Sequence, residues 1–211
     1  MCDIRNYPCD CSLGFKEKLF YQDAGSWISP CSIHSITGPS GYLITTLGFS
    51  DPSMVGNLKD LSGLKYLSKL MMSNITGISG ELKDLSGLNS LTSLELNSME
   101  KISGNLSDLS NYDLATLNLG GIDGISGELK DLSGLNILEL ISMEKISGNL
   151  SDLSNHNNLT SLHLAELSHI SGNLRDLSNN NLQYLDLEYI SISGNISDLS
   201  NYDLATLNLT N

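Results

Sequence analysis

A phrase close to ISGxLxDLS returns seven times along this chain, and repetition at near-constant spacing limits a chain to stacking copies of one unit. The copies start at Met54 (as MVGNLKDLS), Ile78, Ile102, Ile125, Ile146, Ile170 and Ile192, with spacings of 24, 24, 23, 21, 24 and 22 residues. Between them lies a second element, LxxLxL, as at Leu91, Leu94 and Leu96 or at Leu114, Leu117 and Leu119. In LTSLEL (91–96) Leu94 and Leu96 are two apart and point to one side of a strand, while Glu95 points to the other. The same strand returns one unit later after a crossover of some 18 residues, which permits parallel pairing and excludes a hairpin. No unit buries its leucines alone, and stacking the units does. Eight strands are expected, beginning at Ile44, Leu67, Leu91, Leu114, Leu135, Leu159, Leu182 and Leu204. At about 4.8 Å per strand the stack is roughly 35 to 40 Å long.

A period in the low twenties with LxxLxL in every unit resembles the leucine-rich-repeat family, over about residues 42 to 211. The resemblance implies an α/β repeat solenoid: a right-handed horseshoe or arc with a parallel sheet of about eight short strands and mostly turns and short helical pieces on its other face. The SGxL element is similar to the SGxIP stretch of plant-type repeats, without the proline and with DLS one residue tighter. Where that family places an inward asparagine, this chain has Ile75, Met99, Ile122, Met143, Leu167 and Ile190. Apolar packing replaces the asparagine ladder there, so the turn must be closed by other hydrogen bonds. Gly56, Gly80, Gly104, Gly127, Gly148, Gly172 and Gly194 recur at a fixed offset, as a turn needing positive φ or close backbone approach requires.

Seven aspartates recur in DLS: Asp60, Asp84, Asp108, Asp131, Asp152, Asp176 and Asp198. A column of carboxylates raises the question of calcium, but the nonapeptide pattern of calcium-binding β-rolls is missing. Aspartate beside free backbone N–H groups is expected to cap a turn or short helix. These residues also explain much of the net charge of −13. That acidity argues against a nucleic-acid partner, which demands a basic patch, and the short apolar runs argue against membrane insertion.

Cys2, Cys9, Cys11 and Cys31 all lie in an expected N-terminal cap, residues 1–41, with the solenoid spanning 42–211. They fit two disulfides, reduced cap thiols or, with Cys9 and Cys11 only two apart, less readily a zinc site. Cysteine usage favours an extracellular or surface location, whereas MCDIRNYPCD has no apolar signal-peptide core. Asn74, Asn105, Asn149, Asn158, Asn195 and Asn208 form NxS or NxT sequons, which repetition of NLS and NLT produces automatically. His34, His156, His163 and His169 show neither metal-ligand spacing nor a nucleophile motif and are expected at the surface. No P-loop, HExxH or GxSxG occurs. The expectation is a protein that is not an enzyme and has no cofactor or bound metal.

On the sheet the outward columns are mostly small or polar. The exception runs from residue 137 to 189, where Ile137, Ile141, Tyr184 and Tyr189 stand among Glu139, His163, Glu166, Asp186 and Glu188. Apolar and aromatic anchors beside acidic groups are what a specific interface uses. The resemblance implies noncatalytic recognition of a protein or cell-surface ligand, and the acidity suits a basic segment better than an acidic glycan. The alternative is a structural subunit: the last strand, with Leu204, Leu207 and Leu209, has no polar closing unit, so copies could stack end to end as a homo-oligomer.

Overall fold

The computed structural model describes residues 21–23, 26–28, 45–50, 52, 55–177 and 181–210. Two short strands, β1 (Tyr21–Asp23) and β2 (Ser26–Ile28), pair antiparallel near the N-terminus. The four cysteines and His34 lie outside the described residues.

Among the described residues from 45 onward the chain winds in successive coils that form two parallel sheets. The LxxLxL elements supply eight strands: β3 (Thr46–Phe49), β5 (Lys69–Ser73), β7 (Ser93–Asn97), β9 (Thr116–Gly120), β11 (Ile137–Ile141), β13 (Ser161–Ala165), β15 (Tyr184–Asp186) and β17 (Thr206–Asn208). Equivalent residues pair without offset, as Leu94 with Leu117 and Leu138 with Leu162, so each outward column is continuous.

The second sheet has seven strands: β4 (Val55–Asn57), β6 (Gly77–Glu81), β8 (Lys101–Asn105), β10 (Ile125–Glu128), β12 (Ile146–Asn149), β14 (His169–Asn173) and β16 (Ser191–Ser193). Sequence reasoning expected turns and short helical pieces on this side. It missed these strands because ISGN and ISGE carry one buried residue each, too few to show alternation. Neighbours here are offset by two residues, Gly80 pairing with Ile102. The glycine column permits the close approach: a Cβ on Gly104, at φ +133°, would lie 2.8 Å from the Leu82 nitrogen.

Each second-sheet strand runs into a short 3-10 helix, for example Leu106–Leu109. One coil thus buries Leu91, Leu94, Leu96, Met99, Ile102, Leu106 and Leu109, and the same set recurs along the stack as one continuous core. All seven DLS aspartates reach back: the Oδ2 atoms of Asp60, Asp84, Asp108, Asp131, Asp152, Asp176 and Asp198 accept from the backbone N–H three residues earlier, at 2.8–3.3 Å. The residue that donates, Asn105 in the coil above, accepts in turn from Ser107 N through its own Oδ1 at 2.9 Å. The pair is a capping box, and the aspartate occupies its third helical position rather than the cap itself. Alanine at Asp108 is expected to cost about 1 kcal/mol in urea unfolding. Added calcium is expected to leave the wild-type midpoint unchanged, since these carboxylates are spent on N–H groups.

The turns after the six strands β5, β7, β9, β11, β13 and β15 are closed by backbone, without an inward asparagine. Asn74, Ser98, Gly121, Ser142, Glu166 and Tyr189 all sit in the left-handed region, at φ 51–60°. Their N–H groups donate to carbonyls of the next coil, at Asn97, Gly120, Ile141, Ala165, Glu188 and Thr210, over 2.8–3.0 Å. The buried Ile75, Met99, Ile122, Met143, Leu167 and Ile190 follow directly.

Candidate functional site

The register of the first sheet places the candidate residues on one outward surface. Glu139, His163 and Asp186 stand in one row across β11, β13 and β15. Ile137 and Tyr184 lie in the neighbouring column, with Ser161 between them, and Ile141 pairs with Ala165 on the far side of the row. Glu166 and Tyr189 occupy the left-handed positions at the strand ends.

The row is an electrostatic unit. His163 Nδ1 is 3.9 Å from Glu139 Oε1, and its Nε2 is 3.6 Å from Asp186 Oδ2. The Tyr184 hydroxyl donates to the same Asp186 oxygen at 3.4 Å, and its ring meets His163 edge-on with centroids 6.1 Å apart. Asp186 is only 7% exposed, and its Oδ1 accepts from the Glu188 N–H at 3.2 Å. Burial, then the Asp186 charge, pushes the Tyr184 phenol above its usual 10.0. Nearby, Ser142 donates to Glu166 Oε2 at 2.5 Å, a contact sequence reasoning missed because the partners are 24 residues apart.

Two apolar side chains flank the row in solvent, Ile137 at 38% and Tyr189 at 54% exposure. Tyr189 holds φ 55°, a conformation that costs a bulky residue energy. Asn118, in the same outward column as Glu139, keeps a buried Oδ1 without a hydrogen-bond partner. Toward the N-terminus the surface is self-neutralised by a Lys69–Glu95 ion pair at 2.6 Å.

The histidines divide. His163 is partly buried within the row and His169 is exposed, but His156, expected at the surface, is 1% exposed and inside the stack. Among the described residues no group of three or more His, Cys, Asp or Glu side chains is placed to hold a metal, and no helix is long and apolar enough to cross a membrane.

No protein-family model and no curated protein matches this sequence. Solved structures do match in fold. An internalin (inlF) from Listeria monocytogenes aligns at 20% identity and a TM-score of 0.55, over 79% of this chain and 48% of that one. Internalin C2 of the same species gives 21%, 0.50, 78% and 80%, and a plant ice-binding protein gives 21%, 0.52, 79% and 64%. The chain thus spans about half the length of the first and under two thirds of the third. With the two sheets of short parallel strands, these likenesses establish the leucine-rich-repeat solenoid fold.

Proposed function

We propose that this leucine-rich-repeat solenoid is a noncatalytic recognition module whose first-sheet surface between Ile137 and Tyr189 binds a protein or cell-surface ligand through a basic segment. The observation that carries the reading is the row Glu139–His163–Asp186, flanked by the exposed Ile137 and Tyr189. Two carboxylates face one imidazole, which leaves acidic charge over for a partner's cation. A partly desolvated carboxylate beside aromatic anchors is where an interface gains most per residue.

Panning a displayed random-peptide library on the purified protein tests this. Enriched peptides are expected to carry Lys or Arg and to weaken with salt. Binding is expected to fall about 30-fold on Tyr184→Ala, corresponding to about 2 kcal/mol, and comparably on Asp186→Asn. Peptides without basic residues, or binding unchanged in both variants, would overturn the reading.

A further inference from the structure

One coil of the stack is incomplete, and a histidine from the next coil completes it. In full-length coils eight residues separate the last leucine of DLS from the first residue of the following strand, as from Leu85 to Ser93 or from Leu153 to Ser161. Two backbone bonds close that stretch: Leu88 N–H donates to Leu85 C=O at 2.8 Å, and Leu91 N–H donates to Leu88 C=O at 3.0 Å. From Leu132 to Ile137 the separation is only five residues, so the counterpart of Leu88 does not exist. Leu132 C=O and Leu135 N–H, the counterparts of the Leu85 and Leu91 groups, lose the residue that would have served both.

His156, which occupies the Leu88 position of the following coil, supplies both bonds through its ring. Leu135 N–H donates to Nδ1 at 3.3 Å, and Nε2 is 3.2 Å from Leu132 O. An amide N–H can only donate, so Nδ1 must be the acceptor and the proton sits on Nε2, which donates to the Leu132 carbonyl. On the other side the missing residues leave a cleft of about 260 Å³ lined by Tyr112, Asp113, Ser133, Gly134 and Asn136 among others.

We propose that His156 is a neutral, proton-sensitive staple that substitutes for the missing residue of the short coil and fixes where β11 joins the sheet. The staple stands independently of the recognition reading. If that reading holds, the staple also positions Ile137, Glu139 and Ile141, because Leu135 lies two residues before the strand.

The acid sensitivity follows from the donor pattern. Protonation puts a hydrogen on Nδ1, which then points at the Leu135 N–H, so one bond is replaced by donor against donor in a buried site. Burial holds the imidazole below its ordinary 6.5, with the Leu132 carbonyl opposing. Among the described residues, the charged groups on the packed elements are Lys130 and Asp131 on the preceding coil, Asp152 on its own, and Arg175 and Asp176 on the next. Lys130 is paired with Glu128, and the Asp131, Asp152 and Asp176 carboxylates accept capping N–H groups. Burial outweighs the Leu132 carbonyl in its action on the ring. The sign is therefore fixed: the opened or unfolded chain binds the proton more tightly. The contribution is complete above about pH 6.5 and is lost as pH falls from there toward the depressed native value.

The test is native-state amide exchange of the whole chain by NMR between pH 7.5 and 5, with imidazole nitrogen shifts recorded on the same samples. His156 is expected as the Nε2–H tautomer at neutral pH, titrating below the ordinary 6.5. Protection of the Leu135 amide, corrected for intrinsic exchange and divided by that of Leu91, is expected to fall up to about tenfold per pH unit below 6.5. A constant ratio, or a His156 that titrates at or above the ordinary 6.5, would overturn the proposal. His156→Leu supplies the consensus side chain without the bonds, and its Leu135 protection is expected to be low and independent of pH. Wild-type-like protection in that variant would equally overturn it. The wild-type titration decides the matter even if the variant does not fold.

Discussion

Alanine at Gly124 is expected to be among the most damaging single-methyl additions this chain can receive, lowering the unfolding free energy by about 3 kcal/mol. A Cβ built there would lie 2.1 Å from the Ile102 carbonyl oxygen and 3.1 Å from the Ser103 Cα. The obstacle is backbone of the preceding coil rather than the tip of a flexible side chain, so relief requires the two coils to move apart. That movement would strain the parallel pairing of β8 with β10, where Ile125 meets Gly104. Gly63 is the matched control, because a Cβ there meets nothing within 4 Å. Gly63→Ala is expected to be neutral or stabilising by about 0.4–1 kcal/mol, through the smaller entropy of the unfolded chain. Urea midpoints for the two variants, with the slopes checked for loss of cooperativity along the stack, measure the difference.

Gly124 also marks how far the sequence could be followed. The fixed-offset glycines such as Gly80 and Gly104 stand out because they recur at one place in every copy, and the positive φ they were expected to supply is present at six of the seven, from Gly80 to Gly194. Gly124 belongs to no such column: its counterparts are Gly77, Lys101, Lys145, His169 and Ser191, and only the lateral placement of one coil on another reveals why glycine is there. The eight strands of the first sheet were legible because two leucines two residues apart leave an alternation that nothing else explains, and the outward columns followed from the same period. The second sheet was not, because its strands pair through residues whose side chains carry little pattern.

The candidate surface divides along the same line. Which residues share the face follows from the period of two, which alone puts Glu139, His163 and Asp186 in one row. Which of them touch did not, because contacts across coils depend on side-chain reach: Tyr184 bonds Asp186, and Ser142 bonds Glu166 from the preceding coil. His156 is the clearest case. Its type suggested a surface turn. Its role depends on a three-residue deletion in the coil before it, visible in the spacing of 21 residues between Ile125 and Ile146 but mute about which atoms would fill the gap.

Restoring asparagine at Met143 is the second large effect. In the repeats this sequence resembles, an inward asparagine at that position closes the turn, so Met143→Asn is by sequence a return to consensus. Here the expected result is a loss of about 3 kcal/mol or more. Met143 is fully buried, and its removal forfeits the transfer energy of a large apolar side chain. The incoming amide would need partners, and those an asparagine would serve are engaged: the N–H groups of Gly121, Ser142 and Glu166 already donate to Ile141, Ala165 and Glu188 carbonyls, and Ile146 N–H donates to Met143 C=O itself. An unpaired buried amide adds roughly 1–3 kcal/mol to the packing loss. Met143→Leu, with similar volume and no polar atom, is expected to cost under about 1.5 kcal/mol. Equal stability of the asparagine and leucine variants in urea would show that the left-handed N–H column is not what closes these turns. The predicted gap between them follows from a backbone that has taken over the hydrogen bonds a side chain would otherwise make.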